Sequence, residues 1–224
     1  FASLADCVAA YLARCGDDRP RRACLAVAGP QKDGNFRLTN RRSWDVHVSA
    51  LCTRFGFTAV ELLNDFGALA LGLHRLGPND LDYLSAARDG EAGTPMAVVG
   101  PGTGLGVGAA ISGEGGHVEL AHADDRPAAA LDLIRRRFGR VSGERVLCGP
   151  GLGLLHMVLG EVDGVARSPR DAAAITAGAE AGEGECQDTL AVFLSLTASL
   201  AGDLGLVFGA RHGVFIGGGI IARI

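Results

Sequence analysis

The sequence predicts an α/β fold, and three observations carry that prediction. Apolar runs of strand length alternate with segments of helical period, and polar connections follow several strand ends. The stretch Val98 to His117 (VVGPGTGLGVGAAISGEGGH) places a glycine-rich turn between two such runs. A third run, Gly213 to Ile216, ends in Gly217-Gly218-Gly219 before another helical start. Ligands of open α/β sheets gather at the carboxyl ends of strands, where these glycines fall.

Taken in order, Phe1 to Cys15 carries Leu4, Cys7, Val8, Tyr11, Leu12 and Cys15 on one helical stripe ending at Gly16, with no visible cap at its start. Arg22 to Ala28 and Phe36 to Leu38 read as short strands. Ser43 is the expected cap of a helix from about Trp44 to Phe55, stopped by Gly56. Thr58 to Leu63 is strand-like and runs straight into Asn64-Asp65, after which Phe66 to Leu76 has helical spacing. Gly77 to Thr94 is polar enough to connect two lobes. Beyond the glycine stretch, helices are predicted over Pro127 to Phe138 and Leu152 to Leu159, and from Ser168-Pro169 onward. Arg135-Arg136-Arg137 complement the dipole at a helix end and read as a solvated face.

Composition sets the outer limits. The 224 residues suffice for a sizeable core in one domain or two lobes. A net charge of −4 gives no reason to expect nucleic acid, and no membrane association is expected. The longest apolar candidate, Thr189 to Gly209, is broken by Asp203 and rich in Ser, Thr and Gly, the pattern of a buried helix. No signal peptide is visible at the start as given. Six cysteines without a C-x-x-C pair fit neither a zinc site nor a disulfide framework, so buried free thiols in a reducing cytosol are expected.

Glycine lets backbone N–H groups turn toward a ligand and approach it closely. A strand, a glycine turn and a returning strand therefore suit phosphate oxygens, with Thr103 adding a hydroxyl. A plain glycine-rich hairpin is the competing reading. Two other phosphate motifs are excluded. A Walker A loop needs Gly-Lys-Ser/Thr, and the only lysine is Lys32. The dinucleotide fingerprint opens a helix, whereas these glycines, at 100, 102, 104, 106 and 108, lead into a strand. At Asn64-Asp65, capping of the following helix and catalysis are both open. Glu144 can equally stabilise a helix N-terminus. His47, His74, His122, His156 and His212 stand outside any motif and read as structural or surface residues.

Assembled, these segments resemble the bacterial glucokinase family of the actin/hexokinase-like ATPases. The resemblance rests on Leu38-Thr39-Asn40 with Trp44, Leu63-Asn64-Asp65-Phe66, Gly102-Thr103-Gly104-Leu105-Gly106 and Gly113-Glu114-Gly115-Gly116-His117. It extends through Ser142-Gly143-Glu144-Arg145-Val146-Leu147-Cys148-Gly149-Pro150-Gly151 and Gly213 to Ile220, and covers essentially the whole chain. It implies a two-lobed, ribonuclease H-like fold with mixed sheets and helices on both faces. Residues 1–76 would form the smaller lobe, and 77–224 the larger lobe with the phosphate and adenosine loops. The implied reaction phosphorylates D-glucose at its 6-hydroxyl from ATP with Mg²⁺. Asp65 falls on the family's general base, and Asn64, Glu114, His117 and Glu144 on its sugar contacts. Gly102, Thr103 and Gly104 fall on the phosphate loop, and Gly217, Gly218 and Gly219 on the adenosine side. A cytoplasmic homodimer is the implied setting.

The sequence departs from the family pattern in lacking an opening Asp-x-Gly-Gly-Thr strand and the stretch beyond Gly219-Ile220, and it is shorter between Val107 and Gly113. The expectation is that the 224 residues are the ordered part of a longer protein, or a truncated one. Two other readings share the fold. A ROK-type sugar kinase has Glu-x-Gly-His, but with a cysteine-rich zinc motif that is missing between His117 and Cys148. The other is a non-catalytic sugar-binding or regulatory protein.

Overall fold

The computed structural model describes residues 1–28, 31–32, 35–37, 44–84, 90–109 and 115–224. The chain divides into two compact units, Phe1–Leu69 and Ala70–Ile224.

In the first unit, helix α1 (Leu4–Arg14) does have a cap. The Ser3 hydroxyl accepts a hydrogen bond from the Asp6 N–H, a signal hidden by its position so near the chain start. Strand β1 (Arg22–Val27) pairs in parallel with β5 (Ala59–Asn64), Val27 lying opposite Asn64. Strands β2 (Gln31–Lys32), β3 (Asn35–Arg37) and β4 (Asp45–His47) form a separate antiparallel sheet. Helix α2 (Val48–Phe55) thus starts four residues later than expected, because 45–47 pair with β3; Gly56 ends it in the left-handed conformation, φ 73°. Ser43 lies outside the described residues. Val27, Val46, Leu51 and Leu62 form one small core, and Val8, Leu12 and Phe57 another. Helix α3 (Asp65–Gly72) follows β5 without a connecting residue, and a 3-10 turn, Leu73–Arg75, completes the helical stretch.

The second unit is built on a mixed three-stranded sheet. Strand β6 (Met96–Pro101) is central, antiparallel to β7 (Leu105–Ala109) and parallel to β8 (Gly213–Ile216). Helices α4 (Asp125–Phe138), α5 (Gly143–Val146), α6 (Gly149–Val162), α7 (Ala172–Glu180) and α8 (Gly184–Phe208) supply the rest. The large core joins Val99, Leu105 and Val107 of the sheet to Ile134, Leu152, Leu155, Ile175, Phe193 and Leu196 of the helices. Helix α8 is long and apolar enough to cross a membrane by length and composition, but Cys186, Thr189, Phe193, Leu196 and Leu200 are buried within the protein core. The cap of α7 is Asp171, whose carboxylate accepts from Ala174 N–H, and not Ser168. Two side chains hold the preceding segment in place. Arg167 reaches Asp163 (3.0 Å) and Asp188 (2.9 Å), and Arg170 reaches Glu183. All six cysteines are free, but only Cys148 and Cys186 are buried and Cys24 is exposed, contrary to the expectation of buried thiols throughout.

Four charged groups clamp this unit together. Arg126 of α4 reaches both Asp163 and Asp188 (2.7 Å each), and Arg167 reaches the same two carboxylates. Hydrogen bonds from Arg126 hold Asp163 below the usual carboxylate range. Burial works to raise Asp188, but its bonds from Arg126 and Arg167 leave it lowered as well.

Beside the clamp, fully buried His156 faces the Thr189 hydroxyl at 2.9 Å through Nδ1. That hydroxyl donates to the Glu185 carbonyl and accepts from Arg167, so Nδ1 must carry the imidazole proton. Among the described residues, Nε2 is then a bare acceptor without a hydrogen-bond partner. Burial pushes the pKa of His156 below its ordinary value of 6.5. Below pH 6.5 the unfolded chain therefore binds a proton that the folded one refuses, so stability is full above that pH and declines beneath it. The slope from this one group is capped at about 1.4 kcal/mol per pH unit, one proton's worth. Thermal melts from pH 7.5 to 5.5 check this: the decline should shrink in His156→Gln, and an equally steep decline there would reject it.

Candidate active site

Of the predicted site residues, Asn64 and Asp65 lie in the first unit, where β5 meets α3. The Asn64 Oδ1 accepts from the N–H of Phe66 (3.0 Å) and Gly67 (3.1 Å), which makes Asn64 the cap of α3. Among the described residues, the exposed Asp65 carboxylate accepts only from the neighbouring Phe66 N–H, at 2.9 Å. The capping reading therefore belongs to Asn64, leaving its NH₂ group and most of the Asp65 carboxylate for a ligand.

The second unit gathers the remaining described site residues around the β6–β7 turn. Gly102 N–H donates to Gly104 O (2.8 Å), closing a tight loop with exposed Thr103 at its tip. Gly149 N–H donates to Gly102 O (2.8 Å), tying the start of α6 to the loop. The triglycine after β8 grips the other side. Gly217 N–H donates to Val99 O (2.9 Å) and Ile220 N–H to Pro101 O (3.3 Å). Gly218 has φ +91°, and a Cβ there would lie 2.2 Å from Pro101 O. Among the described residues, the N–H groups of Thr103, Gly104, Gly218 and Gly219 have no acceptor within the chain. Two adjoining turns thus present open main-chain donors, the arrangement that suits phosphate oxygens.

The sugar-side residues adjoin the same loop. A Cβ on Gly104 would lie 3.1 Å from the Glu144 carboxylate, so that carboxylate rests against the phosphate turn. His117 Nε2 lies 3.7 Å from Glu144 Oε2. Ser142 caps α5 by accepting from Arg145 N–H, which places Glu144 in the first turn. The backbone of Gly116 passes so close to Leu105 O that a Cβ would sit 2.2 Å away, and Gly143 N–H donates to Val118 O (2.7 Å). Those contacts hold the His117 turn, Gly115–His117, against β7 and α5. Glu114, like the Leu38-Thr39-Asn40 motif, lies outside the described residues.

The sequence reading missed two features. The N-terminus of α6 offers no open donor: Gly149 N–H holds Gly102, Pro150 has none, and Gly151 N–H donates to Cys148 Sγ (3.3 Å). Burial raises the Cys148 pKa, keeping it a neutral thiol. A groove of about 730 Å³ also opens from Gly149 and Pro150, between α6 and the segment Pro169–Ala173. No sequence signal marks it; in the structure Gly153 faces Arg170 O at a position where a Cβ would be 2.6 Å away.

Among solved structures, the chain matches a glucokinase from an Antarctic psychrotroph with a TM-score of 0.88 and 39% identity, over 100% of this chain and 72% of that one. It matches the ROK hexokinase from Thermus thermophilus in fold, with a TM-score of 0.64 at 18% identity, over 97% of this chain and 69% of that one. The architecture is that of sugar kinases built on the actin-like ATPase fold. The glucokinase family model matches residues 1–224. Glucokinases of Caulobacter sp. (strain K31) and Chromobacterium violaceum are 40% and 38% identical to it, over 100% of this chain and 70% and 67% of theirs. The chain belongs to the glucokinase family, enzymes that transfer a phosphoryl group from ATP to glucose.

Proposed function

We propose phosphoryl transfer from ATP to the glucose 6-hydroxyl, with Asp65 as the base and the glycine turns and Glu144 as phosphate and sugar contacts. The observation that carries this reading is the set of open amides at Thr103, Gly104, Gly218 and Gly219, with Glu144 resting on the same loop. These amides receive the triphosphate oxygens. The groove running from Gly149 takes the nucleoside end, because the residue that anchors the loop also lines the groove.

Glu144, His117, Asn64 and Glu114 bond sugar hydroxyls. A neutral hexose is specified by such bonds, since an analogue lacking a hydroxyl leaves a polar group unpaired. Asp65 accepts the proton of the 6-hydroxyl as the γ-phosphoryl leaves ATP. Positioning and fixed donors carry most of the rate enhancement, and the base typically adds ~10²–10⁴-fold. Mg²⁺, bound with the triphosphate, would supply charge neutralisation at the phosphates. The exposed Thr103 hydroxyl would be a residue to hold it. The molecule works as a cytoplasmic homodimer, away from membranes and nucleic acid.

The test is ATP-dependent formation of glucose 6-phosphate across a hexose panel. Glu144→Gln should raise KM for glucose ~10–100-fold, the loss of a charged hydrogen bond, while KM for ATP holds. An unchanged glucose KM would remove Glu144 from the sugar site.

A further inference from the structure

The peptide plane between Gly102 and Thr103 has its direction set from outside the turn. Its oxygen, on Gly102, accepts from Gly149 N–H at 2.8 Å. The peptide is trans, so the N–H on its other edge, that of Thr103, points the opposite way. The plane before it is pinned at both edges: Pro101 O accepts from Ile220 N–H (3.3 Å), and Gly102 N–H donates to Gly104 O (2.8 Å). The 102–103 plane has no such second hold. Gly102 lacks a Cβ to restrict its rotation, and nothing lies nearer than 3.9 Å to where one would be. Among the described residues, Gly149 is the one donor to the Gly102 oxygen.

Gly149 opens α6, and the first amides of a helix have no acceptor within it. Its own N–H is therefore available to the loop, while the rest of the turn is occupied in holding α6 still. Gly151 N–H is spent on Cys148 Sγ (3.3 Å), and Leu152 N–H returns to Cys148 O (2.8 Å). A Cβ on Gly151 would stand 2.3 Å from Val146 O, so this turn is seated on α5, where Val146 and Leu147 belong to the large core. We propose that Gly149 is a positioning residue for the triphosphate: its N–H fixes the 102–103 peptide so that the Thr103 amide, and not the Gly102 carbonyl, faces the phosphates. This rests on the open amides of the turn being the phosphate seat. A turned plane would set a carbonyl oxygen against phosphate oxygens and withdraw a donor in the same movement.

Gly149→Pro removes the N–H at a helix position that proline otherwise tolerates. Gly149→Ala keeps it, since a Cβ there would lie 3.7 Å from Gly102 O, an ordinary contact. KM for ATP should rise ~10–100-fold in Gly149→Pro, the loss of one hydrogen bond to a charged group, and at least about fivefold less in Gly149→Ala. KM for glucose should move far less than KM for ATP in both. Equal KM values for ATP in the two variants overturn the proposal, as does lost stability with the two KM values in their original ratio. Amide hydrogen exchange on the unaltered enzyme, with and without Mg²⁺ and a non-hydrolysable ATP analogue, needs no variant, so a misfolded Gly149→Pro leaves the proposal open to refutation. Gly149 N–H should be protected in both states, and the Thr103 and Gly104 amides only with the analogue bound. An analogue that does not bind, or that protects neither Thr103 nor Gly104, refutes the phosphate seat itself. Protection at those two with a fast-exchanging Gly149 amide refutes only the positioning role.

Discussion

Asp65→Asn is expected to lower kcat by ~10²–10⁴-fold while glucose binding persists. Asparagine has the same shape and keeps an oxygen for the Phe66 N–H, which now lies 2.9 Å from the carboxylate. The start of α3 survives in any case, because Asn64 provides the cap. What the substitution removes is the capacity to take a proton from the 6-hydroxyl. Steady-state kinetics with ATP and glucose, equilibrium glucose binding and a thermal melt separate the outcomes. A kcat within threefold of the original would withdraw Asp65 as the base. A collapse of the melt would instead assign it a structural role.

Gly218→Ala is expected to damage both nucleotide binding and stability. The φ of +91° lies outside what alanine adopts easily, and the added methyl carbon would stand 2.2 Å from Pro101 O and 2.8 Å from the Pro101 carbonyl carbon. Since both atoms belong to backbone, the turn itself must shift. Backbone strain and overpacking together predict a loss of about 2–4 kcal/mol. The displaced turn takes the Gly218 and Gly219 amides with it, so KM for ATP should rise at least about tenfold, while Gly219→Ala, with open space at its Cβ, should change stability little. Chemical denaturation and ATP titration of both variants check this. Equal behaviour of the two would mean that close approach at Gly218 does not shape the loop.

Much of the fold was legible because its signals are local. Strand β8 ends where the apolar run Gly213–Ile216 ends, and Gly56 stops α2 as the chain pattern predicts. Where a local signal competes with a distant partner, the reading slipped. Residues 45–47 looked like the first turn of a helix but pair with β3, and Ser168-Pro169 looked like a helix start but stand before it, in a segment tied down by Arg167 and Arg170. The Arg126 clamp joins residues 37 and 62 positions apart, and no spacing rule exposes such a pair.

By itself the sequence determined the α/β alternation, the glycine turns and the motif order that marks the family, because each depends on period, caps and backbone freedom within a few residues. Only the tertiary structure decided that Glu144 rests on Gly104, that Asn64 rather than Asp65 caps α3, and that Arg170 is fixed beside a groove. Those facts depend on which surfaces meet when the core closes, and contacts between remote segments follow from packing that no short stretch of chain encodes.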